Sequence, residues 1–316
     1  MKIIYLKSPA KVNLSLDITG IQPDGYHNLN MIVQTIDLFD YINISKNYSK
    51  TINLSHSGLF MPDDSSNIMY KAVEKFFEDV NIPLCGVDIY VKKCIPSKAG
   101  LGGGSSNAAY TLMGLNILFN TKLSKSQLQN IGSTLGADVP LFFHTGALQC
   151  QGKGEVIRSL NGLPKMYFVI VKPFFGFSTA ATYKKFDSIE IQKRPNNDQI
   201  IDGINNSNIK QITDNMYNVL EEVVNNNVIT RIKNSLISHG ALTASMTGSG
   251  SAVFGVFQDK YTALCSFHRL KNFYPYVFLA KPIKTKWTIH KMKGRYKLCC
   301  VTNAKKILLQ IFSLKI

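Results

Sequence analysis

No stretch of the 316 residues approaches the ~18 consecutive apolar residues that a membrane-spanning helix needs. The nearest run, Ile307 to Leu314, is far too short, and no membrane partner is expected for the body of the chain. The six cysteines form no C-x-x-C pair, and no histidine stands at ligand spacing from them, so a structural zinc site is excluded. Cys299 and Cys300 are adjacent and poorly placed to bridge each other, so a reduced, intracellular chain is expected. Met1 to Lys11 carries neither a signal nor a transit sequence, which points to the cytoplasm. Acidic residues are scarce: 20 stand against 36 basic ones, and none lies among residues 286–316, which hold eight Lys and Arg. The remaining mild excess of positive charge suits an anionic small molecule as well as nucleic acid. With 45% hydrophobic and 18% charged residues, the chain is neither disordered nor fibrous, and its length suits about two domains.

Hydrophobic periodicity gives the layout. Residues 3–20 alternate as a strand, Pro23-Asp24-Gly25 is a turn, and residues 31–44 are strand-like again. Asn67 to Val80 has helical spacing, Val87 to Ile95 alternates, and Ser124 to Leu135 reads as a helix opened by a capping box of Ser124 and Gln127. Residues 146–160 suggest a strand pair. The pattern restarts near residue 160 with the apolar strand Met166 to Val171. Polar helices then cross 187–215, another helix spans 229–239, and strands at 252–257 and 276–279 flank a helix at 259–270. Mixed hairpins and strand–helix units without internal repeats define an α+β protein. The expected division is 1–155, 156–285 and a basic extension, 286–316, expected to be poorly ordered.

The densest glycine cluster lies between a strand and a helix: Pro96, Ser97, Lys98, Ala99, Gly100, Leu101, Gly102, Gly103 and Gly104, followed by Ser105, Ser106 and Asn107. Ala108, Leu112, Leu115 and Phe119 then mark one helical face, with the three polar residues as N-cap candidates. Unpaired amides and a partial positive charge at a helix start, approached through glycines, suit a phosphate. The segment is no Walker A loop, and Ser105 replaces the third glycine of a dinucleotide fingerprint.

This loop resembles the phosphate loop of the GHMP kinases. Three further segments occur in the order of one branch of that superfamily: Ser8-Pro9-Ala10-Lys11-Val12-Asn13-Leu14, Asp24-Gly25-Tyr26-His27, and Gly136-Ala137-Asp138-Val139-Pro140. The resemblance covers residues 3 to about 285. It implies a two-domain GHMP kinase fold, with an N-terminal ribosomal protein S5 domain 2-like domain and a C-terminal ferredoxin-like α+β domain. It also implies ATP and Mg2+ as cofactors and a small-molecule substrate, a cytidine diphosphate-linked methylerythritol phosphorylated on its 2-hydroxyl in the non-mevalonate route to isoprenoids. Nucleic acid is not expected as a partner.

Site roles follow from the resemblance. Asp138 takes the proton of the acceptor hydroxyl, and Lys11 pairs with it. Asn13, two residues along the same strand face, meets the substrate. Tyr26 stacks on the cytosine, His27 hydrogen-bonds it, and Tyr183 supplies the second stacking ring. Pro96 to Ser106 hold the phosphates, and Asn67 and Lys93 lie near the adenine. No protein ligand for magnesium is evident; Ser105, Ser106, or the phosphates with water suffice. Read singly, these residues have plainer roles. Asp138 would cap a short helix starting at Pro140, Asn67 would cap its own helix, Lys11 and Lys93 would be surface lysines, and Tyr183 a core residue. A homoserine or sugar kinase of the same superfamily is the neighbouring alternative, and a basic RNA-binding protein on the same fold is the distant one.

Overall fold

The computed structural model describes residues 2–284, 287–292 and 295–300. Two strands dominate it. β1 (Ile3–Ile21) and β2 (His27–Lys46) form an antiparallel pair turned at the Pro23–Gly25 segment. β2 is long enough to take two further partners. Its second half pairs with β4 (Val87–Lys93), which pairs in parallel with β3 (Ile52–Gly58). Its first half pairs with β5 (Ala147–Gly152), which continues to β6 (Val156–Ser159).

A second sheet has the order β10-β7-β9-β8, built from β7 (Tyr167–Lys172), β8 (Thr243–Met246), β9 (Val253–Phe257) and β10 (Tyr276–Ala280). The first sheet runs on to Ser159, so the chain passes between sheets slightly beyond the division expected at 155.

Helices pack against both sheets. α1 (Ile68–Asp79), α2 (Gly103–Phe119) and α3 (Lys125–Leu135) pack together, with α2 against β1 and β2. The capping box of Ser124 and Gln127 is present at α3. α4 (Thr179–Phe186), α5 (Asn197–Asn205), α6 (Ile209–Asp214) and α7 (Leu220–Val224) occupy the middle of the chain. α8 (Asn227–Ser238) and α9 (Lys260–Leu270) lie on the second sheet. Among the described residues no helix is long and apolar enough to cross a membrane.

β1, a strand of the first sheet, contributes to both hydrophobic cores. Its ends, with Ile4, Leu6, Leu16 and Ile18, join the core beneath α1 and α2; its middle, with Ala10, Val12 and Leu14, packs with Phe168, Ile170 and Phe254 of the second sheet. Backbone bonds reinforce the join: Leu16 N–H donates to Tyr217 O, and Val219 N–H to Leu16 O, each at 3.0 Å. Register shifts at Pro9/Ala10 and Asn13/Ser15 bracket Lys11 and Asn13. Bulges of this kind re-aim the side chains between them.

Part of the extension, residues 287–292 and 295–300, is described. β11 (Trp287–Met292) and β12 (Arg295–Cys300) form a hairpin, and β12 pairs in parallel with Ile3–Leu6. The physical reason is the open edge of β1, whose backbone groups are satisfied by a returning strand. The apolar run Ile307 to Leu314 lies outside the described residues.

Asp40, fully buried on β2, fastens the end of β4 where the glycine loop begins. Its carboxylate accepts from Lys93 Nζ at 2.5 Å, Cys94 N–H at 2.7 Å and Ile95 N–H at 2.8 Å. Replacing Asp40 with Ala leaves a buried ammonium and two amides unmatched. The expected loss is about 3–5 kcal/mol of unfolding free energy, read from urea denaturation; a loss below about 1 kcal/mol would contradict the role.

Candidate active site

The glycine loop reaches α2 through left-handed backbone at Lys98, Gly100 and Gly102, with φ of 50°, 72° and 69°. Gly102 is the N-cap and offers no side-chain hydrogen bond. The helix thus begins before Ser105, Ser106 and Asn107, which correct the expectation that they cap it. Ser106 and Asn107 are buried, with Ser8 Oγ 2.7 Å from Ser106 Oγ and 2.9 Å from Asn107 Oδ1. Turning the chain with a glycine leaves no side chain over the helix start. The first intrahelical bond runs from Ser106 N–H to Gly102 O. The amides of Gly103, Gly104 and Ser105 precede it and have no carbonyl within the helix to meet.

The loop's carbonyls, by contrast, are taken. Leu101 O accepts from Lys11 N–H at 3.0 Å, and Ala99 O from Ala252 N–H at 3.1 Å. Thr247 Oγ1 lies 3.1 Å from Gly100 O and 3.2 Å from Asn13 Oδ1, so its single proton serves two acceptors. With its carbonyls tied back to β1 and to the 247–252 turn, the loop is fixed from behind.

Lys11 and Asn13 stand on β1 directly beside this loop. Lys11 is buried, and its Nζ donates to Asn13 Oδ1 at 2.5 Å. The same oxygen accepts from Gly248 N–H at 3.0 Å. Burial lowers the Lys11 pKa, opposed by the negative charge of Asp138. Among the described residues Lys11 and Asp138 form no direct ion pair, which corrects the expected contact; Asn13 holds the ammonium and Asp138 acts on it through space. Nor does Asp138 cap the 3₁₀ turn Pro140–Phe143, whose N-cap is Val139 without a side-chain bond. Cys150 on β5 is buried between these charges, its thiol pushed up to about 12 chiefly by desolvation, then by Asp138.

A second group of side chains lies beyond. Tyr26, 60% exposed, follows the turn, with Lys153 Nζ 4.4 Å above its ring centroid; the same ammonium pairs with Asp24. His27 Nε2 lies 2.7 Å from Asp187 Oδ1, and its ring is 5.0 Å from that of Tyr183 on α4. Burial, then the Asp138 charge, raises the Tyr183 phenol.

One cleft of about 1160 Å³ is lined by both groups: Lys11, Asn13 and Asp138; Tyr26, His27 and Tyr183; and Lys98, Gly100, Gly102 and Ser105 of the loop. Pro96, Ser97, Ala99, Leu101, Gly103, Gly104 and Ser106 do not line it; Ala99 and Leu101 are buried in the core behind it. Asn67 and Lys93 are not brought to the cleft either. Asn67 caps α1 by accepting from Met69 N–H at 2.8 Å, the plainer of its two roles, and Lys93 is buried against Asp40 rather than on the surface. Sequence reasoning missed Lys153, Asp187, Thr247 and the Gly176–Ala180 wall. A basic residue between Gly152 and Gly154 was the one available signal.

Similarity to known proteins gives the family. Residues 67–146 match the GHMP kinases N terminal domain, and residues 200–274 match the GHMP kinases C terminal domain. The chain is 42% identical over 280 residues to a 4-diphosphocytidyl-2-C-methyl-D-erythritol kinase of Clostridium tetani, covering 88% of this chain and 99% of the relative. It is 43% identical over 284 residues to a kinase of the same name from Alkaliphilus oremlandii, covering 89% and 97%. A crystal structure of 4-(cytidine 5'-diphospho)-2C-methyl-D-erythritol kinase superposes with a TM-score of 0.74 at 27% identity, covering 88% of this chain and 98% of the other. A homoserine kinase from Cytophaga hutchinsonii, at 17% identity and a TM-score of 0.68, shares the fold.

The loop's fixed backing is open to test. A Cβ on Gly100 would lie 1.9 Å from Thr247 O, on backbone already at positive φ. Gly100→Ala is expected to cost at least about 1–3 kcal/mol, seen as a lower melting temperature. An unchanged melt would show that the loop and the 247–252 turn are not locked together.

Proposed function

The chain belongs to the 4-diphosphocytidyl-2-C-methyl-D-erythritol kinases, a family of the two-domain GHMP kinases, and from that membership we propose how its cleft carries out the reaction. The γ-phosphoryl of ATP moves to the 2-hydroxyl of 4-diphosphocytidyl-2-C-methyl-D-erythritol, giving the 2-phosphate and ADP on the non-mevalonate route to isoprenoids. The observation that carries the reading is the single cleft. It joins a helix start with no side-chain cap, an ammonium and carboxylate within electrostatic reach, and a distant set of rings.

The start of α2, which meets the cleft at Gly102 and Ser105, holds the triphosphate with the positive end of the helix. Asp138 orients the 2-hydroxyl and accepts its proton as that oxygen bonds to the γ-phosphorus and the bond to the β-phosphate oxygen breaks. Lys11, held by Asn13, stabilises charge on the transferred group. The cytosine lies at the other end, against Tyr26, His27 and Tyr183, which fixes the acceptor hydroxyl's distance from the phosphate. Among the described residues no cluster of three or more His, Cys, Asp or Glu forms a metal site. Magnesium would neutralise phosphate charge and would be held by ATP and water, with Ser105, which lines the cleft, as the loop residue able to assist. A cytoplasmic setting, where these charged substrates occur, belongs to the same proposal.

Labelled ATP, magnesium and the cytidylyl substrate are expected to give substrate-dependent phosphoryl transfer. Asp138→Asn is expected to lower kcat by roughly 10²–10⁴-fold. Full activity in that variant would remove Asp138 from its role, and turnover of homoserine instead would redirect the substrate assignment.

Lys11 gives a pH test. Burial holds its pKa below the ordinary 10.5, so the ammonium is lost as pH rises through that lowered value. The alkaline limb of kcat/KM is therefore expected below 10.5, and a limb at or above it would contradict the role.

A further inference from the structure

We infer that Asp187 is a specificity-determining positioning residue: it fixes the tautomer of His27 so that Nδ1 is left as the acceptor for the exocyclic amino group of the substrate's cytosine. The inference rests on the kinase reading above and deepens its base-binding end.

His27 opens β2, and Asp187 is the C-cap residue of α4, 160 positions later in the chain. Their side chains meet at 2.7 Å through Nε2 and Oδ1. A carboxylate oxygen accepts and cannot donate, so Nε2 must carry the proton. In the neutral ring the other nitrogen then keeps its lone pair. Among the described residues neither His27 Nδ1 nor the Asp187 carboxylate has another hydrogen-bond partner. The ring is also confined: Tyr183 lies 5.0 Å away at 55°, and Phe186 lies 6.0 Å away edge-on at 87°. Its side chain is 14% exposed, and it lines the cleft.

A ring held in this way presents a lone pair of defined direction to a ligand. Cytosine carries an amino donor at C4, where uracil carries a carbonyl oxygen. A lone pair meets the first favourably and opposes the second. Reversing the tautomer would reverse the preference. Asp187 thus acts on the base through His27 without touching it, and the contact joins the turn that carries Tyr26 to the helix that carries Tyr183.

Two arms test this. In the first, the ¹⁵N signals of the His27 ring are recorded for the full-length protein without ligand at pH 8, assigned by their loss in His27→Gln. Protonated Nε2 and unprotonated Nδ1 are expected, with this preference lost in Asp187→Ala. In the second, KM and kcat are measured with the cytidylyl substrate and its uridylyl analogue. Asp187→Ala is expected to raise KM for the cytidylyl substrate roughly tenfold, with kcat within about twofold. The preference over the uridylyl analogue is expected to fall by roughly the same factor, and Asp187→Asn to recover part of it. A merely structural role would change both substrates alike and leave the base preference intact, which would overturn the inference. A cytidylyl kinase whose His27 carries its proton on Nδ1 would overturn the tautomer alone. A protein with protonated Nε2 and no cytidylyl turnover would overturn the kinase reading and the base assignment with it.

Discussion

One oxygen organises the reaction end of this molecule. Asn13 Oδ1 receives the Lys11 ammonium and the Gly248 amide, and the Thr247 hydroxyl stands within reach of it. Lys11 belongs to the first sheet's long hairpin, while Gly248 and Thr247 lie in the turn between β8 and β9 of the second. Through that oxygen the two halves of the chain are pinned where the glycine loop passes. Loop carbonyls are drawn to the same partners: Leu101 O to Lys11 N–H, Gly100 O to the Thr247 hydroxyl. A loop whose carbonyls are occupied from behind keeps its following amides for a ligand, which is the requirement for holding an anion without a side-chain charge.

This arrangement explains why a buried lysine is tolerated so close to the core. Taking an ammonium out of water is costly unless it is hydrogen-bonded and faces opposite charge. Asn13 supplies the bond, and Asp138 supplies the charge across the cleft. Further along the cleft, the rings of Tyr26, His27 and Tyr183 stand among paired charges. The two groups of side chains lie in one cleft and differ in character.

Local chemistry made much of this legible. Alternation revealed β1 and β4, an apolar run revealed β7, helical spacing revealed α1 and α2, and the run from Pro96 to Gly104 marked a turn suited to an anion. Lys11, Asn13, Tyr26, His27, Asp138 and Tyr183, named from motifs, all line one cleft. What was hidden depended on contacts between distant residues. Thr247 and Asp187 look like ordinary polar residues until folding brings them to Gly100 and His27. Lys93 illustrates the converse: a lysine on an alternating strand reads as exposed or ligand-binding, and only the partner Asp40 on β2 explains its burial. The start of α2 was displaced because a left-handed glycine, Gly102, turned the chain before any capping side chain was reached.

The most direct measurement is a crystal structure with a non-hydrolysable ATP analogue, magnesium and the cytidylyl substrate bound together. The triphosphate should lie against the amides at the start of α2, where Gly102 and Ser105 meet the cleft, with the 2-hydroxyl between its terminal phosphate and the Asp138 carboxylate. A triphosphate bound away from these amides, or an acceptor hydroxyl far from Asp138 in the closed complex, would contradict it.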